Sequence, residues 1–391
     1  MDLEKIRNDF PSINGNIYLD SACMALKPRQ VIEKINEYYN KYPGCGGRSI
    51  HKFGNRVSDE FDNARVTLKK FLGAKYKEEI IFSKNTTESI NLVAYGYNLN
   101  ENDKVVISDK EHNSNLLPWQ LLKERKKINL EIVETDENGI LDLEDLKDKV
   151  RNAKLMSIVY SSNIDGVTNP IEKIVKICKK EGCKIMLDGA QAVPHKKINV
   201  RKLGIDFMAF SGHKMLGPTG TGVLYGKKEE LEKLNSFIIG GDTVKDTTYD
   251  SYILEDLPMR FEGGLQDYAG IIGLGEAAKY LMKSNRENIE KHEIELNTIL
   301  TDELKDKVEM LGPESAKERG GIFSFNINKM DAHHVAMILD EQGIMIRSGM
   351  HCVHSWFNAR NINGSARASL YMYNNEEEIK KLIEKLKPLL K

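Results

Sequence analysis

From about residue 60 to residue 230, strand-like and helix-like segments alternate along the chain, and this alternation constrains its fold most. Seven short apolar runs read as buried strands: Glu79–Phe82, Lys104–Ser108, Leu130–Val133, Leu155–Tyr160, Lys184–Leu187, Phe207–Phe210 and Gly222–Tyr225. Segments with helical periodicity lie between them: Ser89–Tyr97, Pro118–Lys126, Leu143–Val150 and Ile171–Glu181. Such alternation predicts an α/β protein with a mostly parallel seven-stranded sheet and helices on its faces.

The remainder of the chain has a different pattern, which predicts a second, smaller α+β domain. Helix-rich sequence from about residue 267 to residue 308 is followed by three strand-like and two helix-like segments: Gly321–Ile327, Ile344–Arg347, Ala366–Met372, Ala332–Gln342 and Glu376–Leu389. A chain of 391 residues is long enough for two domains. We therefore predict a large domain at residues 16–265 and a small domain formed by residues 1–15 and 266–391.

Composition argues against several classes of protein. The net charge of −1 gives no sign of a nucleic-acid partner, and no apolar run reaches the length of a membrane span. The N-terminus lacks a charged-then-apolar signal peptide, so we expect a cytoplasmic protein. Five cysteines without compact spacing argue against a disulfide scaffold.

Two neighbouring predicted strands each end in polar residues. Asp188 and Gln191 follow the fifth strand, and Ser211, His213 and Lys214 follow the sixth. Open α/β sheets bind their ligands at this end of the strands. An amine, an acid and hydroxyl donors suit pyridoxal phosphate, which needs a Schiff-base amine, an acid beside its pyridine nitrogen and donors around its phosphate.

This segment resembles the Asp-x-x-Gln…Ser-x-His-Lys signature of class V aminotransferases, and within them the cysteine desulfurases and selenocysteine lyases. Matching motifs occur in the expected order from residue 18 to residue 374. The resemblance implies the pyridoxal-phosphate-dependent fold of type I. It also implies that Lys214 bonds the cofactor, Asp188 holds its ring nitrogen and Gln191 contacts its phenolic oxygen. Ser211 and His213 are then expected at the phosphate.

Three further motifs extend the predicted cofactor site. Thr86 and Thr87 open a helix after the first strand, and helix N-termini attract phosphate. They resemble the family's Gly-Thr-Thr-Glu-x-Ile-Asn motif, although Asn85 replaces its glycine. His112 is similar to a family histidine that stacks on the ring and moves protons. Asn163 matches a residue implied to contact the phenolic oxygen and the substrate.

The segment RSGMHC, ending at Cys352, is similar to the family's Arg-x-Gly-x-His-Cys, whose cysteine takes sulfur from the substrate. Arg367 begins a motif like the family's carboxylate-binding Arg-x-Ser…Tyr-Asn. A guanidinium can bind a carboxylate through two parallel hydrogen bonds. The short interval between Cys352 and Arg367 favours the SufS-like (group II) branch. Met350, where relatives often carry histidine, leaves the choice between cysteine and selenocysteine open.

Elements that cross between subunits in the family predict a homodimer. Arg48 and His51 are similar to residues of the SufS-like branch that approach the partner's active site, where they are expected to help bind substrate. A plain glycine loop with exposed basic residues remains the alternative. Leu265 replaces a threonine that contacts the partner's phosphate in relatives, so that contact is either lost or supplied by a residue such as Thr243.

Together these matches predict a cysteine desulfurase that converts L-cysteine to L-alanine. Lys214 acts as general base, and Cys352 becomes a persulfide that serves a sulfur acceptor or scaffold protein in iron–sulfur cluster or thio-cofactor synthesis. One alternative is a selenocysteine lyase. Others are an aminotransferase, or a cluster-binding relative that uses Cys23, Cys45 and Cys352 as thiolate ligands. Cys23 stands where the family usually has alanine. The main prediction includes no metal site.

Overall fold

The structure is a computed structural model that describes residues 2–13 and 15–390. Its strands are β1 (Ile17–Tyr18), β2 (Ile80–Ser83), β3 (Lys104–Ser108), β4 (Asn129–Val133), β5 (Ala153–Val159), β6 (Lys184–Asp188), β7 (Phe207–Ser211), β8 (Gly222–Gly226), β9 (Val244–Thr247), β10 (Tyr252–Leu254), β11 (Glu309–Met310), β12 (Ile322–Asn326), β13 (Ile344–Met345), β14 (Arg347–Gly349) and β15 (Ser365–Ser369).

The helices are α1 (Leu3–Asn8), α2 (Arg29–Lys41), α3 (Lys52–Leu72), α4 (Thr86–Gly96), α5 (Asn113–Lys126), α6 (Leu143–Lys149), α7 (Ile171–Lys180), α8 (Ala192–His195), α9 (Val200–Leu203), α10 (Lys228–Leu231), α11 (Tyr268–Ser284), α12 (Arg286–Leu304), α13 (Ala316–Arg319), α14 (Ala332–Asp340), α15 (His354–Ala359) and α16 (Glu376–Leu386). Short 3₁₀ turns occur at Lys77–Glu79, Gly212–Lys214, Met259–Phe261 and Lys387–Leu390.

A seven-stranded sheet with the order β2-β8-β7-β6-β5-β3-β4 forms the centre of the fold. Strands β3 to β7 run parallel, and β8 pairs antiparallel with both β7 and β2. Each of the seven strands predicted for this sheet occurs within two residues of its expected ends. The predicted α/β architecture is therefore confirmed.

The central strands read as continuous apolar runs because both of their faces are buried. In β6, Ile185 and Leu187 point into one hydrophobic core, and Met186 points into a second core on the opposite face. This alternation follows the two-residue period of a strand, and helices cover both faces of the parallel sheet. The carboxyl ends of these strands are thus held rigidly at one edge of the sheet.

Helix α5 is longer than expected. We predicted a helix from Pro118, but it begins at Asn113 and contains Pro118 in its interior. His112 caps it, because the ring Nδ1 accepts a hydrogen bond from the backbone N–H of Ser114 at 3.1 Å. This cap starts the helix one turn earlier and ties the position of the His112 ring to the helix end.

The second half of the chain forms an antiparallel sheet of order β11-β12-β15-β14. The single strand predicted at Ile344–Arg347 is two strands, since β13 pairs with β1 and β14 pairs with β15. Helix α11 packs against α2 and α3, and its buried residues join one core of the central sheet. The proposed division at residues 15–16 and 265–266 stays a prediction.

Within the described ranges, none of the helices combines the length and apolar character needed to cross a bilayer.

Candidate active site

A cavity of about 270 Å³ lies where the carboxyl ends of the central strands meet the second sheet. Most of the predicted site residues line it, although they come from distant parts of the chain: Thr86, Thr87, His112, Asn163, Asp188, Gln191, Ser211, His213, Lys214, Cys352 and Arg367. The fold thus brings the amine, the acid, the hydroxyls, the thiol and the guanidinium to one place.

Asp188 and Lys214 supply a buried acid and a buried amine in this cavity. Asp188 ends β6, and its Oδ1 accepts a hydrogen bond from the backbone N–H of Ala190 at 2.9 Å. Burial raises the pKa of Asp188 and lowers the pKa of Lys214, while the charge of each group opposes the shift of the other. Both ionised forms lose hydration here, so both favour a ligand that can pair with them.

Hydroxyl and backbone donors line the cavity near the start of α4. The backbone N–H of Thr86 donates to Ser211 Oγ at 2.8 Å, and the two hydroxyl oxygens lie 2.6 Å apart. The hydroxyl of Thr87 lies 2.7 Å from Ser114 Oγ. Burial, and next the charge of Lys214, lower the pKa of His213 to about 4. A helix N-terminus surrounded by neutral donors suits an anionic group.

His112 lies in the cavity as a neutral ring. Burial lowers its pKa to about 3, and the nearby cations Lys214 and Arg367 contribute to the same shift. Its Nδ1 accepts the hydrogen bond from Ser114, so the proton of the neutral ring is on Nε2. A planar uncharged imidazole is suited to stacking on an aromatic ligand. Gln191 also lines the cavity, and its Nε2 donates a hydrogen bond to the carbonyl of Ala22 at 2.7 Å.

Arg367 presents a buried guanidinium from the middle of β15. Its Nη1 donates to the carbonyl of Asn163 at 2.7 Å, and its Nη2 to Oδ1 of Asp20 at 3.3 Å. Its Nε has no hydrogen-bond partner among the described residues, although the side chain is only 3% exposed. A buried cation with a free donor in a cavity wall is a binding group for an anion.

Cys352 lies on a turn that follows β14. His351 and Cys352 both have left-handed backbone angles, with φ of 48° and 59°. The backbone N–H of Asn113 donates to the carbonyl of Cys352, and Nδ2 of Asn163 donates to the carbonyl of His351, each at 2.7 Å. The turn is held from two sides, while the Cys352 residue itself is exposed. Its thiol is therefore positioned and accessible.

Two predicted site residues lie away from this cavity. Arg48 is exposed and pairs with Asp242 at 3.2 Å, and His51 caps α3 by accepting from the backbone N–H of Gly54 at 3.2 Å. Leu265 is 71% exposed. Thr243, considered as its replacement, is buried and donates its hydroxyl proton to the carbonyl of Gly240.

The three cysteines of the cluster-binding alternative are not gathered. Cys23 and Cys352 line the cavity, but Cys45 is exposed in the loop before α3, with its Sγ 3.5 Å from the carbonyl of Gly46. In residues 2–13 and 15–390, no group of three or more His, Cys, Asp or Glu side chains could hold a metal ion.

The sequence prediction gave no role to Asp20, Ser114 and Arg347, which the structure places at the site. Nη1 of Arg347 donates to Sγ of Cys23 at 3.2 Å, and Arg347 also lies 3.8 Å from Asp20. Ser114 connects the Thr87 hydroxyl to the His112 ring. The signal was available in part, because Asp20 lies three residues before Cys23 and Arg347 begins the segment that ends at Cys352.

Comparisons with known proteins agree with this geometry. A model of the aminotransferase class-V family matches residues 17–382. A probable cysteine desulfurase from Halalkalibacterium halodurans is 40% identical over 397 residues, covering 99% of this chain and 97% of its own length. Another from Pyrococcus abyssi is 39% identical over 392 residues, covering 99% and 98%.

Solved structures show the same similarity in three dimensions. A cysteine desulfurase from Thermococcus onnurineus NA1 superposes with a TM-score of 0.97 at 39% identity, covering 100% of this chain and 98% of its own. The Escherichia coli cysteine desulfurase CsdA gives 0.93 at 29% identity, with the same coverage. The fold type expected from the sequence is confirmed. The matched family model, which spans nearly the whole chain, shows that this protein belongs to the class V aminotransferase family.

Proposed function

We propose that this protein is a pyridoxal-phosphate-dependent cysteine desulfurase. It converts L-cysteine to L-alanine and retains the sulfur atom as a persulfide on Cys352. The observation that carries the proposal is that one cavity holds a buried amine, a buried acid, a carboxylate-binding guanidinium and an accessible thiol. The identity of about 40% with probable cysteine desulfurases over the full chain supports the same assignment.

The residues of the cavity fit pyridoxal phosphate. Lys214 would supply the amine that bonds its carbonyl carbon, and Asp188 the carboxylate beside its ring nitrogen. Thr86, Ser211 and His213 would surround its phosphate at the start of α4. The raised pKa of Asp188 and the lowered pKa of Lys214 support this, because a cationic ring nitrogen and a covalent bond relieve the two desolvation costs. When bound, the cofactor stabilises negative charge at the substrate Cα.

Arg367 would orient the substrate through its carboxylate. Asp20 and the carbonyl of Asn163 fix two edges of the guanidinium, and Nε has no hydrogen-bond partner within residues 2–13 and 15–390. Asp20 itself is partly buried, and desolvation raises its pKa against the opposing charge of Arg367. The guanidinium is therefore pre-oriented before any substrate enters, which reduces the entropy lost on binding.

Lys214 would act as the general base, and His112 would donate a hydrogen bond. The lowered pKa of Lys214 makes its neutral amine accessible nearer to neutral pH, as a general base at Cα requires. His112 stays neutral down to strongly acidic pH, since its pKa is about 3. Its Nε2 proton can thus be donated in a hydrogen bond without a net charge on the ring.

Cys352 would take the sulfur atom. Its thiolate attacks the sulfur of the substrate, the S–S bond forms, and the bond between that sulfur and the substrate Cβ breaks. The carbon skeleton takes up the electron pair and a proton and leaves as alanine. One sulfur atom is transferred, so the products are alanine and the Cys352 persulfide without an external oxidant.

The test is to incubate purified, cofactor-loaded protein with L-cysteine and to quantify alanine, protein-bound sulfur and free sulfide. We expect one alanine for each sulfur atom taken from the substrate, counting bound sulfur and sulfide together, and loss of both in Cys352→Ala. Cys178→Ala is the matched control, since that thiol is buried in the core, outside the cavity. Alanine formation that is unchanged in Cys352→Ala would contradict the proposal. Release only from L-selenocysteine would identify a lyase instead.

We also propose that the protein is a homodimer. Phe237, Ile238 and Ile239 form a consecutive exposed apolar segment, and Ile238 lines a surface depression together with the exposed Leu265. The ion pair between Arg48 and Asp242 places the loop before α3 beside this surface. Exposed apolar patches of this kind mark interfaces. Light scattering should give twice the mass of the chain, and Ile238→Asp should shift it towards the monomer.

We propose that the protein acts in the cytoplasm and passes its sulfur to an acceptor or scaffold protein. All five cysteines are free, which fits the reducing environment of the cytoplasm. The exposed thiol of Cys352 fits delivery of sulfur to a protein acceptor or scaffold. Persulfide transfer to a candidate acceptor, followed by mass spectrometry, tests this step.

A further inference from the structure

The cavity is lined by a second thiol. Cys23 lies in the segment after β1, and its Sγ accepts a hydrogen bond from Nη1 of Arg347 at 3.2 Å. Cys23 and Cys352 line the same cavity of about 270 Å³. Arg347 begins β14, the strand that leads into the turn with Cys352, so the element that carries one thiol also orients the other.

Cys23 also lies beside the groups that would hold the substrate. Asp20 is 3.8 Å from Arg347 and 3.3 Å from Arg367, so a chain of contacts runs from Cys23 to the carboxylate-binding guanidinium. Arg367 lines the cavity, so its guanidinium indicates where an anionic group binds. A substrate held there has Cys23 near its anchored end.

Both thiols share the cavity with the amine that would bond the cofactor. Cys23, Lys214 and Cys352 all line it. A persulfide also lengthens the Cys352 side chain by one S–S bond, about 2.05 Å. The sulfur received from the substrate is therefore held in a cavity that contains a second nucleophile.

We propose that Cys23 is a resolving thiol for the Cys352 persulfide, which rests on the function proposed above. The Cys23 thiolate attacks Sγ of Cys352, a Cys23–Cys352 disulfide forms, and the bond from Sγ to the outer sulfur breaks. The outer sulfur leaves with the electron pair as hydrosulfide. The two protein thiols are oxidised by two electrons, and the outer sulfur is reduced by two electrons. A dithiol reductant, small molecule or protein, restores both thiols by disulfide exchange.

This step gives the enzyme a second outcome for the sulfur atom. When an acceptor reaches Cys352 first, the sulfur is transferred as a persulfide. Without an acceptor, Cys23 ends the turnover, releases sulfide and blocks both thiols until a dithiol reduces them. The site then stops after one turnover when neither acceptor nor reductant is present.

The first experiment is a single turnover of the holoenzyme with L-cysteine, without reductant, followed by alkylation and peptide mass spectrometry. For wild type we expect one sulfide per protomer. We also expect a disulfide-linked pair of peptides containing Cys23 and Cys352, whose mass is lower than the sum of the two free peptides by two hydrogens. Cys23→Ser should instead keep one additional sulfur atom on Cys352 and release no sulfide until a dithiol is added. Cys45→Ser, which changes an exposed cysteine outside the cavity, should behave as wild type.

The second experiment is independent of the cofactor and the substrate. Protein carrying Cys45→Ser is treated with one equivalent of dithiobis(nitrobenzoate). We expect two nitrothiolates per protomer and the Cys23–Cys352 disulfide, and one nitrothiolate when Cys23→Ser is added. If the persulfide on Cys352 is stable, and one nitrothiolate is released with or without Cys23→Ser, the resolving role of Cys23 is overturned and the proposed function is not affected. Absence of alanine overturns the proposed function, and the nitrothiolate count still decides whether the two thiols pair.

Discussion

Replacement of Arg367 by alanine tests the assignment of the substrate anchor most directly. The side chain is buried and lines the cavity, and its Nε has no hydrogen-bond partner among the residues that the structure describes. Hydrogen bonds to charged groups contribute about 1.5–3 kcal/mol, which corresponds to about 10- to 150-fold in affinity. We expect the variant to lose affinity by this factor for ligands that carry a carboxylate and to lose little for ligands without one.

A pair of product-like amines isolates this contribution. L-Alanine and ethylamine differ by the carboxylate, and the absorbance of the bound cofactor reports their binding. In wild type we expect alanine to bind about 10- to 150-fold more tightly, and in Arg367→Ala the ratio should approach one. Arg360→Ala, which removes an arginine paired with Asp109 at 3.0 Å, is the matched control. A preference for alanine that persists undiminished in Arg367→Ala would refute the anchor assignment.

Three further predictions follow from buried charges. Because burial lowers the pKa of Lys214, the rate at which cofactor-free protein takes up pyridoxal phosphate should reach half its maximum below pH 10.5; a midpoint at or above that value contradicts the burial argument. Burial raises the pKa of Asp188, so its carboxylate opposes folding at neutral pH, and Asp188→Asn should not lower the melting temperature of cofactor-free protein. The same variant should lower alanine formation at least about 100-fold, because it removes the carboxylate beside the cofactor's ring nitrogen. Arg65→Ala should reduce the free energy of unfolding, measured by chemical denaturation, by about 3–5 kcal/mol, since it leaves Glu262 buried and unpaired. Lys147→Ala breaks an exposed ion pair and should reduce it by less than about 1 kcal/mol. Equal reductions in the two variants would contradict this reasoning.

The central fold could be predicted because its strands are buried on both faces. Segments such as Ile185–Leu187 and Phe207–Phe210 are continuously apolar, and segments with helical periodicity lie between the predicted strands. The error at α5 arose from a local contact, since the cap supplied by the His112 ring cannot be read from periodicity. The split at residue 346 had a different cause, because β13 and β14 take different distant partners.

The residues of the candidate site also fall into two groups, those that the sequence could place and those that it could not. Residues at strand ends, such as Asp188 and Lys214, could be placed together because parallel strands end at one edge. The contact of Arg347 with Cys23 joins residues 324 positions apart, and no spacing rule connects them. Arg48 and His51 face the surface of their own chain, so a single sequence could not fix what they contact.

The two hydrogen bonds that hold the Cys352 turn affect how sulfur can leave the protein. Asn113 anchors one carbonyl of the turn and Asn163 the next, and Asn163 also holds the guanidinium of Arg367 through its own carbonyl. The proposed sulfur carrier and the proposed substrate anchor therefore share one support, and the turn cannot swing outwards without loosening the guanidinium of Arg367. On the proposed function, an acceptor thiol therefore meets the persulfide at the position where these hydrogen bonds hold the turn, and the turn does not travel to meet it.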